Sequence, residues 1–127
     1  MKLSEKDNKK FAEFLGFETG KSVTFGSTYY IVSKIGSEID KCYGVSNMSF
    51  HKSLDWINLL VEKIKSKTQV HKFEITVQSL GIDPYKVSII SDFDQFTNII
   101  VSRGSLLESM YYACLEFIKM YNKMEVK

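Results

Sequence analysis

Two amphipathic segments, Ser53–Ile64 and Ser105–Asn122, constrain this chain more than any other feature, because they frame a stretch of strand-forming residues. Each segment must bury one face against something else. At about 100° per residue, Leu54, Ile57, Leu60, Val61 and Ile64 share one side of the first segment. Asp55, Asn58, Glu62 and Ser66 fall on the other. The core stripe of the second is Leu107, Met110, Cys114, Phe117, Ile118 and Tyr121. Ser53 and Ser105 stand at N-cap positions, and Ser105 with Glu108 forms a capping box. Between the segments, Lys72–Ser79, Lys86–Ser91 and Phe96–Ser102 read as strands. Gly81-Ile82-Asp83-Pro84 and Ser91-Asp92-Phe93-Asp94 are the turns between them. Links this short favour antiparallel pairing.

Upstream, Ser4 opens a first helix, with Asp7 three residues on as an approximate capping box. Phe11, Phe14 and Leu15 form its stripe and Gly16 its stop. From Ser22 the pattern changes: Val23, Phe25, Tyr29, Ile31 and Ile35 suit a hairpin that turns at Gly26-Ser27. Ile39, Cys42, Tyr43 and Val45 suggest a short edge strand in an otherwise ambiguous stretch. The expected fold is α+β, a single-layer antiparallel sheet packed with helices in the order α-β-β-α-β-β-β-α. The 127 residues fit one domain, with a helix and hairpin over 1–50 and an α-β-β-β-α unit over 51–124. A hydrophobic content of 44% supplies a core without staples.

Charge narrows the function classes. A formal net charge of +2 argues against an electrostatically driven polyanion binder. Arg103 is the single arginine, and lysine lacks the planar fork that reads guanine edges or phosphates in two bonds. Specific DNA readout is not expected. Cys42 and Cys114 lie far apart, outside any C-x-x-C pair, as free thiols of a reducing compartment do. Met1 to Lys10 is polar and charged, unlike a signal peptide, and no apolar run reaches bilayer length. The expectation is a cytoplasmic protein with no membrane association and no cofactor.

Several residues carry a family likeness: Phe50-His51, Ser53, Asp55-Trp56, Val61-Glu62-Lys63-Ile64, Ala113, Glu116-Phe117-Ile118-Lys119 and Tyr121-Asn122, with the opening Phe11-Ala12-Glu13-Phe14-Leu15-Gly16. In these positions the chain resembles a family of small phage and prophage proteins of unknown function. The likeness covers the first helix and the stretch from Phe50 to Asn122, and not the hairpin from Ser22 to Gly36. Leu54, Asn58-Leu59 and Met120 depart from the family's tryptophan and Met-Pro positions. The matching residues are mostly core and caps, so the likeness specifies a fold. It implies a bacterial host cell and an accessory phage role, such as inhibition of a host defence complex.

No catalytic constellation stands out, and the chain is not expected to be an enzyme. Glu18-Thr19-Gly20-Lys21-Ser22 ends like a P-loop, but Leu15 occupies the required first glycine position and the helix precedes the strand, so it reads as an ordinary turn. Asp83, Asp92 and Asp94 suit turns better than a hard-cation site. His51 and His71, the only histidines, lack zinc-ligand spacing, so no metal is expected.

The off-pattern residues are the candidates for binding. Tyr112 falls among Glu108, Glu116, Lys119 and Lys123, and Leu59 among Asp55, Glu62 and Lys63. Tyr29 and Tyr30 are adjacent in a strand, so they point to opposite faces. Trp56 sits at the margin of its helix stripe. Tyr112, Leu59, Tyr29, Tyr30 and Trp56 are therefore the expected partner-binding set, with a host protein complex as partner. Arg103, Gly104 and Ser105 precede a helix N-terminus and form the expected anion-binding set, for a small nucleotide signal held by a sponge-like protein. A single-stranded nucleic-acid accessory role, with tyrosines stacking bases, is a further alternative. Self-association through Tyr112 and Leu59 would present the same face.

Overall fold

The computed structural model describes residues 1–21, 28–35, 37–77, 83–92 and 96–125. Its elements run α1 (Glu5–Leu15), β1 (Glu18–Lys21), β2 (Thr28–Ile35), β3 (Glu38–Tyr43), α2 (Leu54–Lys65), β4 (Val70–Val77), β5 (Tyr85–Asp92), β6 (Phe96–Arg103) and α3 (Leu106–Glu125). The fold is α+β with antiparallel pairing throughout. Its strands divide between two three-stranded sheets, ordered β1-β2-β3 and β4-β5-β6, a division the sequence pattern leaves open. Strand β3 corresponds to the short edge strand suggested by Ile39, Cys42, Tyr43 and Val45, the first arm of the expected hairpin (22–25) lies outside the described residues, and β1 was not expected. Glu18-Thr19-Gly20-Lys21 pairs with β2 instead of forming a loop, with Gly20 opposite Tyr29. Tyr29 lies across Gly20 so closely that a Cβ there would sit 2.5 Å from the ring. The glycine is thus covered by a cross-strand aromatic. The expected turns at Gly26-Ser27, Gly81-Ile82 and Phe93-Asp94 lie outside the described residues.

Local chemistry explains where the helices begin and end. Ser4 Oγ accepts the Asp7 amide at 3.2 Å, and Gly16 takes φ 74°, a left-handed cap that suits a residue without Cβ. Ser53 holds the N-cap position of α2, but its side chain makes no capping bond. Ser105 Oγ accepts the Glu108 amide at 3.1 Å and opens α3.

An aromatic chain ties the two sheets into one core. Tyr111 of α3 meets Phe11 of α1 edge-on at 5.2 Å, and Phe11 meets Phe50 at 4.9 Å. Phe50 then meets Trp56 of α2 at 5.0 Å, and Trp56 meets Tyr43 of β3 at 4.9 Å. Such tilted contacts suit the ring quadrupoles and add to the burial itself. The Tyr111 hydroxyl donates to Asp7 Oδ2 at 2.9 Å and pins α3 to the first turn of α1. Buried Asn8 donates from Nδ2 to the carbonyls of Val45 at 2.7 Å and Met48 at 3.3 Å, which fixes the segment leading into α2.

Two stripes differ from the helical-wheel expectation. Leu54, the first residue of α2, is 44% exposed and lies outside the core. Tyr111, Ala113 and Leu115 join Met110, Cys114, Phe117 and Ile118 inside. The reason is that α3 packs on β5 and β6 with one side and on α1 and α2 with another, so most of its circumference is covered.

Candidate functional site

The junction between β6 and α3 brings together two candidate features that are nine residues apart in sequence, Arg103 and Tyr112. Arg103 ends β6, opposite Tyr85 of β5. Tyr112 lies two turns into α3, on the side that turns back over the strand end. The Arg103 guanidinium carbon sits 5.1 Å from the Tyr112 ring centroid, a cation–π contact. Tyr111 meets Tyr112 edge-on at 5.3 Å from the other side. The ring that looked stranded on a wet face is therefore half-buried between a core tyrosine and an arginine, and the arginine is exposed.

The backbone of this junction is held from within. Fully buried Ser109 accepts the Arg103 amide at 3.0 Å, and its Oγ lies 2.7 Å from the Tyr85 carbonyl and 3.0 Å from the Ser105 carbonyl. One hydroxyl thereby locks β5, β6 and the first turn of α3 to one another. The geometry is set by Ser109, which the sequence pattern did not single out. A serine three residues beyond a capping box carries no distinguishing local signal. The guanidinium Nη1 also donates to the Ser102 carbonyl at 3.0 Å, which orients its plane.

The expected anion set, Arg103, Gly104 and Ser105, is exposed at this same junction. Around it, Ser105 Oγ accepts the Glu108 amide, Ser109 Oγ accepts the Arg103 amide, and Tyr112 covers one face of the guanidinium. Glu108 in the first turn adds a negative charge.

The other candidates lie elsewhere. Tyr30 is 4% exposed and Trp56 6%, so both are core residues rather than contact surface. Tyr30 faces inward because alternation in β2 sends Tyr30 and Val32 to the core, and Trp56 because Phe50 and Tyr43 enclose it. Tyr29 is half-buried over Gly20. Leu59 is half-buried against the edge of the core.

Titratable groups follow their surroundings. Cys114 is fully buried, and the loss of solvent pushes its thiol well above the usual range. Cys42 is exposed on β3. Burial, aided by the bond to Asp7, raises Tyr111. A hydrogen bond to Glu38 raises Tyr43 to about 12, and the same bond, with Lys41, lowers Glu38. His51 is lowered by burial and by nearby positive charge. His71 Nε2 lies 3.0 Å from Asp92 Oδ2, within hydrogen-bond reach; Asp94 lies outside the described residues. Among the described residues no group of three or more His, Cys, Asp or Glu side chains could hold a metal ion. Among them too, no helix is long and apolar enough to cross a membrane.

No family model matches the chain, and no curated protein or solved structure matches it either.

Proposed function

We propose that this chain is a non-enzymatic protein-binding domain that meets its partner at the Arg103–Tyr112 junction. In its biological form, the proposal is a phage-type accessory protein that binds and inhibits a host defence complex in the manner of an anti-CRISPR. The observation that carries the contact surface is the exposed guanidinium stacked on a half-exposed tyrosine ring. Arginine and tyrosine are the residue types most enriched where binding energy concentrates. Here both side chains are already held by Ser102, Tyr111 and the Ser109 lock, so little freedom remains to be lost on association. The likeness of the framing helices to small phage proteins supports the choice of partner class.

The test begins with affinity purification of the tagged protein from a defence-bearing bacterial lysate. A single stoichiometric protein partner is expected. With that partner purified, Arg103→Ala combined with Tyr112→Ala should weaken binding by about 2 kcal/mol or more, roughly thirtyfold. Unchanged affinity in a folded double variant would refute the junction as the contact. Recovery of the protein alone would refute the partner class.

A further inference from the structure

The second sheet carries an unusual edge. Its order is β4-β5-β6, so β4 pairs on one side only among the described residues. The register sets Phe73, Ile75 and Val77 on the face that also bears Val87, Ile89 and Val101. Those three central residues are buried, whereas Ile75 is 44% and Val77 66% exposed. The apolar face of the sheet therefore continues past the covering helices, out to its open edge.

Natural edges are protected by charge, proline, bulges or shortness. Both edges of the first sheet show these devices among the described residues. Strand β1 has four residues among those described, and β3 carries Glu38, Asp40 and Lys41 with Asp40 at φ 53°, which breaks a regular ladder. Strand β6, the opposite edge of the second sheet, has a single charge, Arg103, at its end, and it is the self-complementary sequence of β4 that sets β4 apart. In β4 the irregularity is confined to the Val70–Lys72 end, and Phe73 to Val77 run regularly and without proline. Its two charges there, Lys72 and Glu74, pair with each other at 2.6 Å and leave the edge neutral.

We infer that β4 is a self-association edge, on which a second copy of this chain pairs antiparallel about a two-fold axis at Ile75. That register sets Ile75 against its own copy, Phe73 against Val77, and Glu74 against Thr76. Apolar residues then meet apolar residues on the inner face, and no like charges oppose one another. An axis at Glu74 would place two carboxylates face to face. An axis at Phe73 would draw His71 and the irregular end into the ladder. The neutral, self-complementary strand favours a second copy over a foreign peptide, and an isologous contact of this kind closes as a dimer. The two sheets would join as one of six strands, independently of the Arg103–Tyr112 junction.

The experiment combines solution mass with register. Sedimentation equilibrium of the whole chain, from micromolar to millimolar, is expected to show a reversible dimer. Val77→Lys should raise its dissociation constant about tenfold or more, since it sets two cations into an apolar seam. Val77 is exposed, so an unchanged thermal midpoint confirms that the variant is folded. In a Cys42→Ser background, Ile75→Cys should oxidise to a covalent dimer. Directly opposed strand residues lie about 4.5–5.5 Å apart at Cα, within the span a disulfide accepts. Thr76→Cys, one step off the axis, should cross-link far more slowly. A wild-type monomer across the range, a dimer indifferent to Val77→Lys, or equal cross-linking at both positions would each overturn the inference.

Discussion

Asn8 offers the sharpest test of how the core is organised, because a single buried amide holds the approach to α2. Its Nδ2 donates to the Val45 and Met48 carbonyls at 2.7 and 3.3 Å, and the residue is fully buried. Asn8→Ala removes both bonds and leaves a small void. Two neutral bonds at about 1 kcal/mol each, with about 1 kcal/mol for the void, predict a loss of roughly 2–3 kcal/mol. Asn8→Asp keeps the volume but turns a carboxylate toward two carbonyl oxygens. An uncompensated buried charge costs about 3–5 kcal/mol, so the isosteric change should be the worse of the two near neutral pH. Burial raises the new acid's folded pKa above its unfolded value of about 3.9. The folded variant therefore binds the extra proton more tightly than the unfolded chain. Its penalty shrinks as pH falls through the folded pKa and grows again as pH rises. Urea unfolding of wild type and both variants, near neutrality and near pH 4, reads this directly through the midpoint at constant slope. If the aspartate variant matched the alanine one at neutral pH, or its deficit did not narrow in acid, the assignment of Asn8 as an essential donor would fail.

Two further outcomes are expected. Lys67 lies 4.7 Å from the Tyr121 ring centroid and 5.4 Å from that of Phe14, and bonds the Tyr121 hydroxyl at 3.1 Å. Lys67→Met keeps the aliphatic stem and should still lower stability by about 1–2 kcal/mol in thermal unfolding. An unchanged midpoint would show that the contact contributes nothing. Stability should also fall at alkaline pH, because Cys114, Tyr111 and Tyr43 all hold their protons more tightly when folded. Their contribution is complete below the unfolded values, about 8.5 for cysteine and 10 for tyrosine, and is lost as pH rises toward the folded values. Cys114→Ala should flatten the first part of that decline by about 1.4 kcal/mol per pH unit; an unaltered slope would place the thiol in contact with solvent.

The helices and the second sheet were legible in the sequence because their signals are local. Ser4, Gly16 and Ser105 act through neighbours within a turn, and the observed strands β5 and β6 begin and end within a residue of their expected limits. Strand β1 was missed because Glu-Thr-Gly-Lys has no apolar alternation; it is a strand only because Tyr29 and Tyr30 lie across from it. Trp56 looked marginal on a helical wheel, which cannot see Phe50 and Tyr43 closing over it. The junction was half legible. Arg103 and Tyr112 were each noticed, for different reasons, but nothing in a linear pattern says that a strand end will be folded back onto the second turn of a helix.

The order of the pairings has a consequence for how the chain reaches its native state. Among the described residues every strand pairs only with its neighbour in sequence, so each sheet is a meander that closes short loops. Such contacts form early and cheaply. The bond between Tyr111 and Asp7 spans 104 residues, and Asn8 reaches 37 and 40 residues to Val45 and Met48. Helix α1 is therefore the element whose docking waits for distant parts of the chain. During synthesis both meanders can be paired while α1 still has no α3 to pack against, and its apolar stripe stays exposed until that helix emerges.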